Sequence, residues 1–318
     1  MNDEFFCYKN LNLQAQSIKP NDKIAIIAPS GRVFPEELAA GIQLIRNWGF
    51  IPKTGKYLFE DYYLGYHYAG NPRQRTEDLQ NALDDDEIKA VWFARGGYGA
   101  VQLIEQINWQ KFIRNPKWLI GYSDITAFHN HLNNYNIPTL HALTVKRLNC
   151  EYSPETFESL KTVLTTGRIN FEIPGHPYNL KGETTGKLVG GNLSLIYSLT
   201  GSLSEIKGEN LILFIEDWRE NWYHLDRMLM NLKCSGLFDR ISGMIVGNFT
   251  QMDDENENPD FLNHFDPQSY EIIHNFMKNY KIPICFGFPA GHTGDNRALV
   301  LGAEIRFKVG TDRVKIEF

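Results

Sequence analysis

Gly121-Tyr122-Ser123-Asp124 stands where a short apolar stretch, Trp118 to Ile120, gives way to a helical pattern. A sharp turn at such a junction lifts a serine hydroxyl clear of a sheet. It also exposes backbone N–H groups at a helix N-terminus, where a developing oxyanion can be held. The competing reading is an ordinary N-cap, which serine before a helix also satisfies. Ile125 takes the place of the last glycine in G-x-S-x-G, so the turn departs from the α/β-hydrolase elbow. Arg95-Gly96-Gly97-Tyr98-Gly99 likewise follows a strand and precedes a helix, and its backbone can approach a ligand closely with amides aimed at negative charge. Its spacing fails as a G-x-G-x-x-G dinucleotide fingerprint. It reads as an anion-binding loop, a tight turn, or a donor to an oxyanion beside the serine.

Phe214-Ile215-Glu216-Asp217 puts two carboxylates at the end of an apolar strand, the edge where α/β sites lie. Either acid could instead cap a helix. Gly291-His292-Thr293-Gly294-Asp295 flanks a loop imidazole with glycines and leaves it accessible. A single loop histidine is ordinarily just solvated. Beside a serine turn and a strand-end carboxylate it becomes the residue type that nucleophilic catalysis needs. Asp226-Arg227 reads as an exposed or structural ion pair within its helix, without a catalytic role.

The elements that must position these segments are legible as alternation. Ile24 to Ala28 reads as a strand, and Leu38, Ile42, Ile45 and Trp48 make a helical stripe closed by Gly49. Asn71-Pro72 reads as an N-cap and first helical position, leading into the strand Ala90 to Phe93. A helix with Leu103, Ile104 and Ile107 inward is expected after the glycine turn, and another from Asp124. Strand alternating with helix implies crossover connections and a mostly parallel sheet. Ser153-Pro154-Glu155 opens a helix running to Gly167, and Ile173 to Pro177 has the composition of a linker. Strands are expected at Leu211 to Ile215, Met244 to Gly247 and Ile284 to Phe286, with helices near 222 to 233 and 267 to 279. The end of the chain, Glu304 to Val309 and Arg313 to Phe318, alternates as a hairpin does.

At 318 residues the chain exceeds what one core usually organises. We therefore expect an N-terminal α/β domain over 1–167, a linker over 168–180 and a C-terminal domain over 181–318. With 42% hydrophobic residues the chain is a folded globular protein, and a net charge of -6 argues against a nucleic-acid partner. Met1 to Asn10 lacks a basic segment followed by an apolar run, and nowhere do eighteen apolar residues run together. A soluble cytoplasmic protein without a membrane partner is expected. Cys7, Cys150, Cys234 and Cys285 are scattered singly, as reduced thiols are. His129 and His131, two apart on a helix, point to different faces, so no metal site is expected.

Taken in order, several motifs resemble the LD-carboxypeptidase family of serine peptidases, which includes the hydrolases conferring immunity to microcin C. They are Ile27 to Gly31, Arg95 to Gly99, Gly121 to Thr126, Gly186 to Asn192, Glu216-Asp217, Asp226 to Leu229 and Gly291-His292. The resemblance implies two α/β domains, the first a flavodoxin- or Rossmann-like mostly parallel sheet, with the active site in the cleft between them. It assigns Ser123 as nucleophile, Glu216 as acid and His292 as base. It implies oxyanion amides from Asp124 and Gly97, no cofactor, and a homodimer. A murein tetrapeptide losing its terminal D-alanine is the implied substrate, with Arg95 a candidate for its carboxylate. The alternatives are a microcin-type aminoacyl-nucleotide substrate, on which Trp218 or Trp222 could stack, and a non-catalytic anion-binding module. The aromatic run after Glu216 and Thr293 to Asn296 depart from the family pattern and bear on specificity.

Overall fold

Apolar runs too short for helices form the strands of two sheets, and capped amphipathic segments connect them. The computed structural model describes residues 17–149, 152–252 and 266–318. In chain order the first part contains β1 (Lys23–Ile27), α1 (Pro35–Asn47), β2 (Ile51–Thr54), a small hairpin of β3 (Tyr62–Tyr63) and β4 (His67–Tyr68), and α2 (Pro72–Asp84). It continues with β5 (Ile88–Phe93), a 3-10 turn (Ala100–Gln106), α3 (Gln110–Arg114), β6 (Trp118–Gly121), a second 3-10 turn (Ser123–Ile125), α4 (Thr126–Asn133), β7 (Thr139–His141) and α5 (Pro154–Thr166). The remainder holds β8 (Phe171–Pro174), β9 (Gly182–Asn192), α6 (Leu193–Ser198), β10 (Leu211–Trp218), α7 (Trp222–Cys234), β11 (Ile241–Thr250), α8 (Pro267–Met277), β12 (Ile284–Phe286), β13 (Leu299–Leu301), β14 (Glu304–Val309) and β15 (Arg313–Glu317).

One sheet runs β13-β7-β6-β5-β1-β2, parallel except for β13. The other runs β12-β11-β10-β9-β14-β15-β8, parallel up to β9 and antiparallel beyond it. Both central strand sets are buried on two faces, as parallel sheets require. Ile24, Ile26 and Trp92 pack on one side of the first sheet, and Ala25, Ile27, Val91 and Phe93 on the other. Leu213, Ile215 and Val246 oppose Ile212, Phe214 and Ile245 in the second.

The capping residues act as read. Asn71 and Gln74 exchange side-chain-to-amide bonds of 3.0 and 2.9 Å across the first turn of α2, and Ser153 accepts from the Thr156 amide at 3.2 Å before α5.

Three segments differ from expectation. Residues 100–106 form a 3-10 turn rather than an α-helix, held at Ala100 by the Asp124 carboxylate and at Gln102 by Arg75. Over so short a stretch such anchors outweigh helix propensity. Within the residues read as a linker, Phe171 and Ile173 are buried in β8, which pairs with β15. β13 crosses back from the second half to the edge of the first sheet. Cys7, Cys150 and the first ten residues lie outside the described residues. Asp226 and Arg227 are both exposed, and no ion pair joins them; Arg227 lies over the Tyr223 ring.

α4 joins the two sheets, and all eight of its residues are buried. Its Thr126 hydroxyl accepts the Asn192 amide at 3.0 Å, and a Cβ at Gly191 would lie 2.6 Å from that hydroxyl. That close approach is the physical need behind the Gly190-Gly191-Asn192 run. Asn133 donates to the carbonyls of Ile137 and Leu301, tying the far end of α4 to β13.

Arg75 is buried and donates to the carbonyls of Pro29, Gly70 and Gly99 and to Gln102. It thus joins the loop after β1 to the loop after β5. Arg75→Leu strands those carbonyls, and a buried unpaired acceptor costs about 1–3 kcal/mol. Chemical denaturation should show a loss of roughly 3 kcal/mol or more; a loss below about 1 kcal/mol would contradict this role.

Candidate active site

The described ends of β5, β6, β10 and β12 point to one region, the edge where open α/β sheets place their sites. Ser123 sits just past β6 with φ +63, a left-handed conformation that a non-glycine residue holds only under surrounding constraint. It is partly exposed. The glycine loop closes over it: a Cβ at Gly96 would lie 3.0 Å from Ser123 Cβ and 3.2 Å from its hydroxyl. Gly97, next in the chain at φ +112, abuts the Tyr66 hydroxyl instead.

Two of the three sequence-selected residues are hydrogen-bonded. His292 Nδ1 lies 2.8 Å from Glu216 Oε2, with the residues 4% and 0% exposed. A carboxylate oxygen only accepts, so Nδ1 is the donor in this contact and Nε2 is left free of it. Gly291 makes this contact possible. At φ +127 it has no side chain, and a Cβ there would lie 2.9 Å from Glu216 Oε2. Thr250 donates to the His292 carbonyl at 3.0 Å and fixes the loop from β11.

The third residue is a neighbour. The Tyr122 ring, one residue before the serine, lies 4.7 Å from the imidazole. No hydrogen bond joins the Ser123 hydroxyl to His292 among the described residues. Such bonds are often long without substrate and tighten in the complex.

Successive residues of β10 separate the two acids. Glu216 faces the imidazole, whereas Asp217 accepts from Asn192 Nδ2 at 2.8 Å and from the Ser194 amide at 2.9 Å, at the start of α6. Burial and the adjacent Glu216 hold the Asp217 carboxyl well above the usual range. Asp217 therefore braces the start of α6, whose N-cap is Asn192.

The Asp124 side chain has a role that sequence reading missed. Its Oδ2 accepts from the Ser30 hydroxyl at 2.5 Å and from the Ala100 amide at 2.8 Å, and the group is fully buried. One oxygen thus ties the serine turn to both neighbouring loops. Ser30, in the Ile27 to Gly31 motif, was the available signal. Burial pushes this carboxyl up to about 6, against the lowering effect of Ser30, the Ala100 amide and Arg75.

Arg95 donates to the Arg32 carbonyl at 2.7 Å, and no carboxylate lies within ion-pair distance of it among the described residues. It lines a surface depression with Arg32, Phe34, Tyr63, Tyr66 and His67. Trp218 lies flat on the His292 ring at 5.3 Å between centroids. Trp222 donates to Asp266 at 3.2 Å and packs on the second core, away from this role.

Beneath the site, His129 Nε2 donates to the Gly121 carbonyl at 2.9 Å, and His141 packs on Phe214 and Tyr122. Burial holds His129 down to about 4 and His141 well below the ordinary imidazole value, so both are neutral. No group of three or more His, Cys, Asp or Glu among the described residues could hold a metal ion. No helix among them is long and apolar enough to cross a membrane.

A nucleophile-type serine turn on one sheet facing a buried imidazole–carboxylate pair on another defines a two-domain α/β arrangement suited to acyl transfer. Residues 24–142 match the LD-carboxypeptidase N-terminal domain and residues 185–307 the LD-carboxypeptidase C-terminal domain. A Synechocystis sp. protein bearing the name carboxypeptidase is 31% identical over 94% of this chain and 96% of its own length. The murein tetrapeptide carboxypeptidase of Pseudomonas aeruginosa is 29% identical over 90% of this chain and 94% of its own. The chain belongs to the LD-carboxypeptidase family. Its fold is also that of the microcin C7 self-immunity protein solved with aspartyl sulfamoyl adenosine, at TM-score 0.82 and 22% identity over 96% of this chain and 98% of that one.

Because the native state holds the Asp124 proton more tightly than the unfolded chain, this group contributes stability fully present below about pH 4 and lost as pH rises through about 6. Asp124→Asn keeps an oxygen for Ser30 and Ala100 but cannot titrate. The melting temperature of the parent minus that of the variant should fall between pH 4 and pH 7, by the equivalent of up to about 3 kcal/mol. A pH-independent difference would contradict the assignment.

Proposed function

We propose that the chain is a serine carboxypeptidase that removes the terminal D-alanine from murein tetrapeptides, in the cytoplasm during cell-wall recycling. The observation that carries this reading is the buried His292–Glu216 hydrogen bond beside the strained Ser123 turn. The name of the Pseudomonas aeruginosa relative supplies the substrate class.

In this reading His292 Nε2 takes the Ser123 proton as the hydroxyl attacks the carbonyl between the L-centre of the diamino acid and D-alanine. Glu216 holds the imidazole tautomer and stabilises its cationic form. The amides of Asp124 and Gly97 receive the oxyanion. The imidazolium then returns its proton to the leaving amine, and water, activated by the same imidazole, resolves the acyl-enzyme. Arg95, with no carboxylate within ion-pair distance among the described residues, is suited to the substrate's terminal carboxylate by a bidentate contact.

The aminoacyl-nucleotide alternative uses the same three residues. The indole that was a candidate for stacking on a base, Trp218, is instead engaged with His292, which favours the peptide substrate.

Incubation of the purified protein with the tetrapeptide should release free D-alanine. Ser123→Ala and His292→Ala should each lower kcat by about a millionfold, and Glu216→Gln by about ten-thousandfold, by analogy with other serine triads. A Ser123→Ala variant that released D-alanine at the parent rate would overturn the nucleophile assignment. Faster hydrolysis of an aminoacyl adenylate analogue than of the tetrapeptide would overturn the substrate class.

A further inference from the structure

The Trp218 indole lies 5.3 Å from the imidazole of His292 with the rings 6° from parallel, and the Tyr122 ring approaches the same imidazole at 4.7 Å. The indole is itself held. Its Nε1 donates to Gln251 Oε1 at 3.0 Å, and the same oxygen accepts from Arg219 Nε at 2.9 Å. The Arg219 guanidinium lies over the indole at 4.6 Å. Arg219 and Gln251 are non-glycine residues at φ +61 and +50, one at the end of β10 and the other at the end of β11. The Arg219 amide donates to the Thr250 carbonyl, and the Thr250 hydroxyl to that of His292.

Strained backbone persists where the surroundings over-determine it. Here one strained residue, Gln251, offers a single oxygen to Trp218 and to the other strained residue, Arg219, and the evident effect is to fix the plane of one indole. The Glu216 bond fixes one ring nitrogen of His292 but not the tilt of the ring about that contact. The flat face of Trp218, 6° from parallel, is suited to fixing that tilt.

We propose that Trp218, clamped by Gln251, is a positioning residue for His292, holding the imidazole plane so that Nε2 stays directed at Ser123. The inference rests on the reading of His292 as general base. It also gives Trp218 a role other than substrate stacking.

The test compares Trp218→Phe, Trp218→Leu, Trp218→Ala and Gln251→Leu in tetrapeptide hydrolysis, alongside proton NMR of the low-field Nδ1–H resonance of His292. Aromatic stacking is worth about a tenfold effect in rate. Trp218→Ala and Trp218→Leu should lower kcat by about tenfold with KM within about twofold, and should broaden the low-field resonance. Gln251→Leu should give a smaller loss of the same kind, about threefold. Trp218→Phe should recover kcat to within about threefold of the parent and restore the resonance, because it keeps an aromatic plane.

A rise in KM at unchanged kcat would make Trp218 a substrate contact and overturn the proposal. Equal rates for Trp218→Leu and Trp218→Phe would reduce its role to filling space, with the same consequence. Full activity in His292→Ala would bring down the underlying base assignment. Loss of activity there, with parent kcat in all the Trp218 variants, would remove the present inference alone.

Discussion

The buried hydrogen bond between Glu216 and His292 is the constraint on which the rest of the site depends. A carboxylate with no solvent exposure loses its hydration, and it is tolerable only where a donor replaces the lost water. The imidazole is that donor, and the surrounding sequence is shaped to bring it there. Gly291 leaves out the side chain that would collide with Glu216, Thr250 anchors the histidine backbone, and Trp218 covers the ring face. Each is a local concession to one contact of 2.8 Å.

A second set of buried polar bonds does for the serine turn what Gly291 and Thr250 do for the histidine loop. Asp124 collects Ser30 and the Ala100 amide on a single oxygen, and Arg75 collects the carbonyls of Pro29 and Gly99. Three loops are thereby fixed at one sheet edge by two buried ionisable groups. α4 then joins this edge to the second sheet through the Thr126–Asn192 bond. The serine turn and the imidazole meet because the helix that follows the serine packs against the strand beside β10.

Much of this was legible in the chain. Asn71-Pro72, Ser153-Pro154 and the terminal alternation carried their elements because caps and period-two patterning are local. Ser123, Glu216 and His292 stood out because each follows a predicted strand. What escaped depended on partners remote in sequence. α4 was expected as a helix, but its burial on every side, with His129, Asn130, His131 and Asn133 all inside, follows only from its place between the two sheets. β7 spans three residues, and β8 lies in a stretch whose proline and glycine read as a connector. The side-chain role of Asp124 and the stacking of Trp218 depend on loops brought together only by the fold.

The central claim is that one serine is activated by the imidazole that Glu216 holds. The most direct measurement is mass spectrometry of the intact protein and its peptides after exposure to a serine-directed phosphonate. One adduct, on the peptide containing Ser123, formed rapidly in the parent and lost in His292→Ala, is the expected result. Labelling elsewhere, or labelling of Ser123 at the same rate without the imidazole, would contradict it.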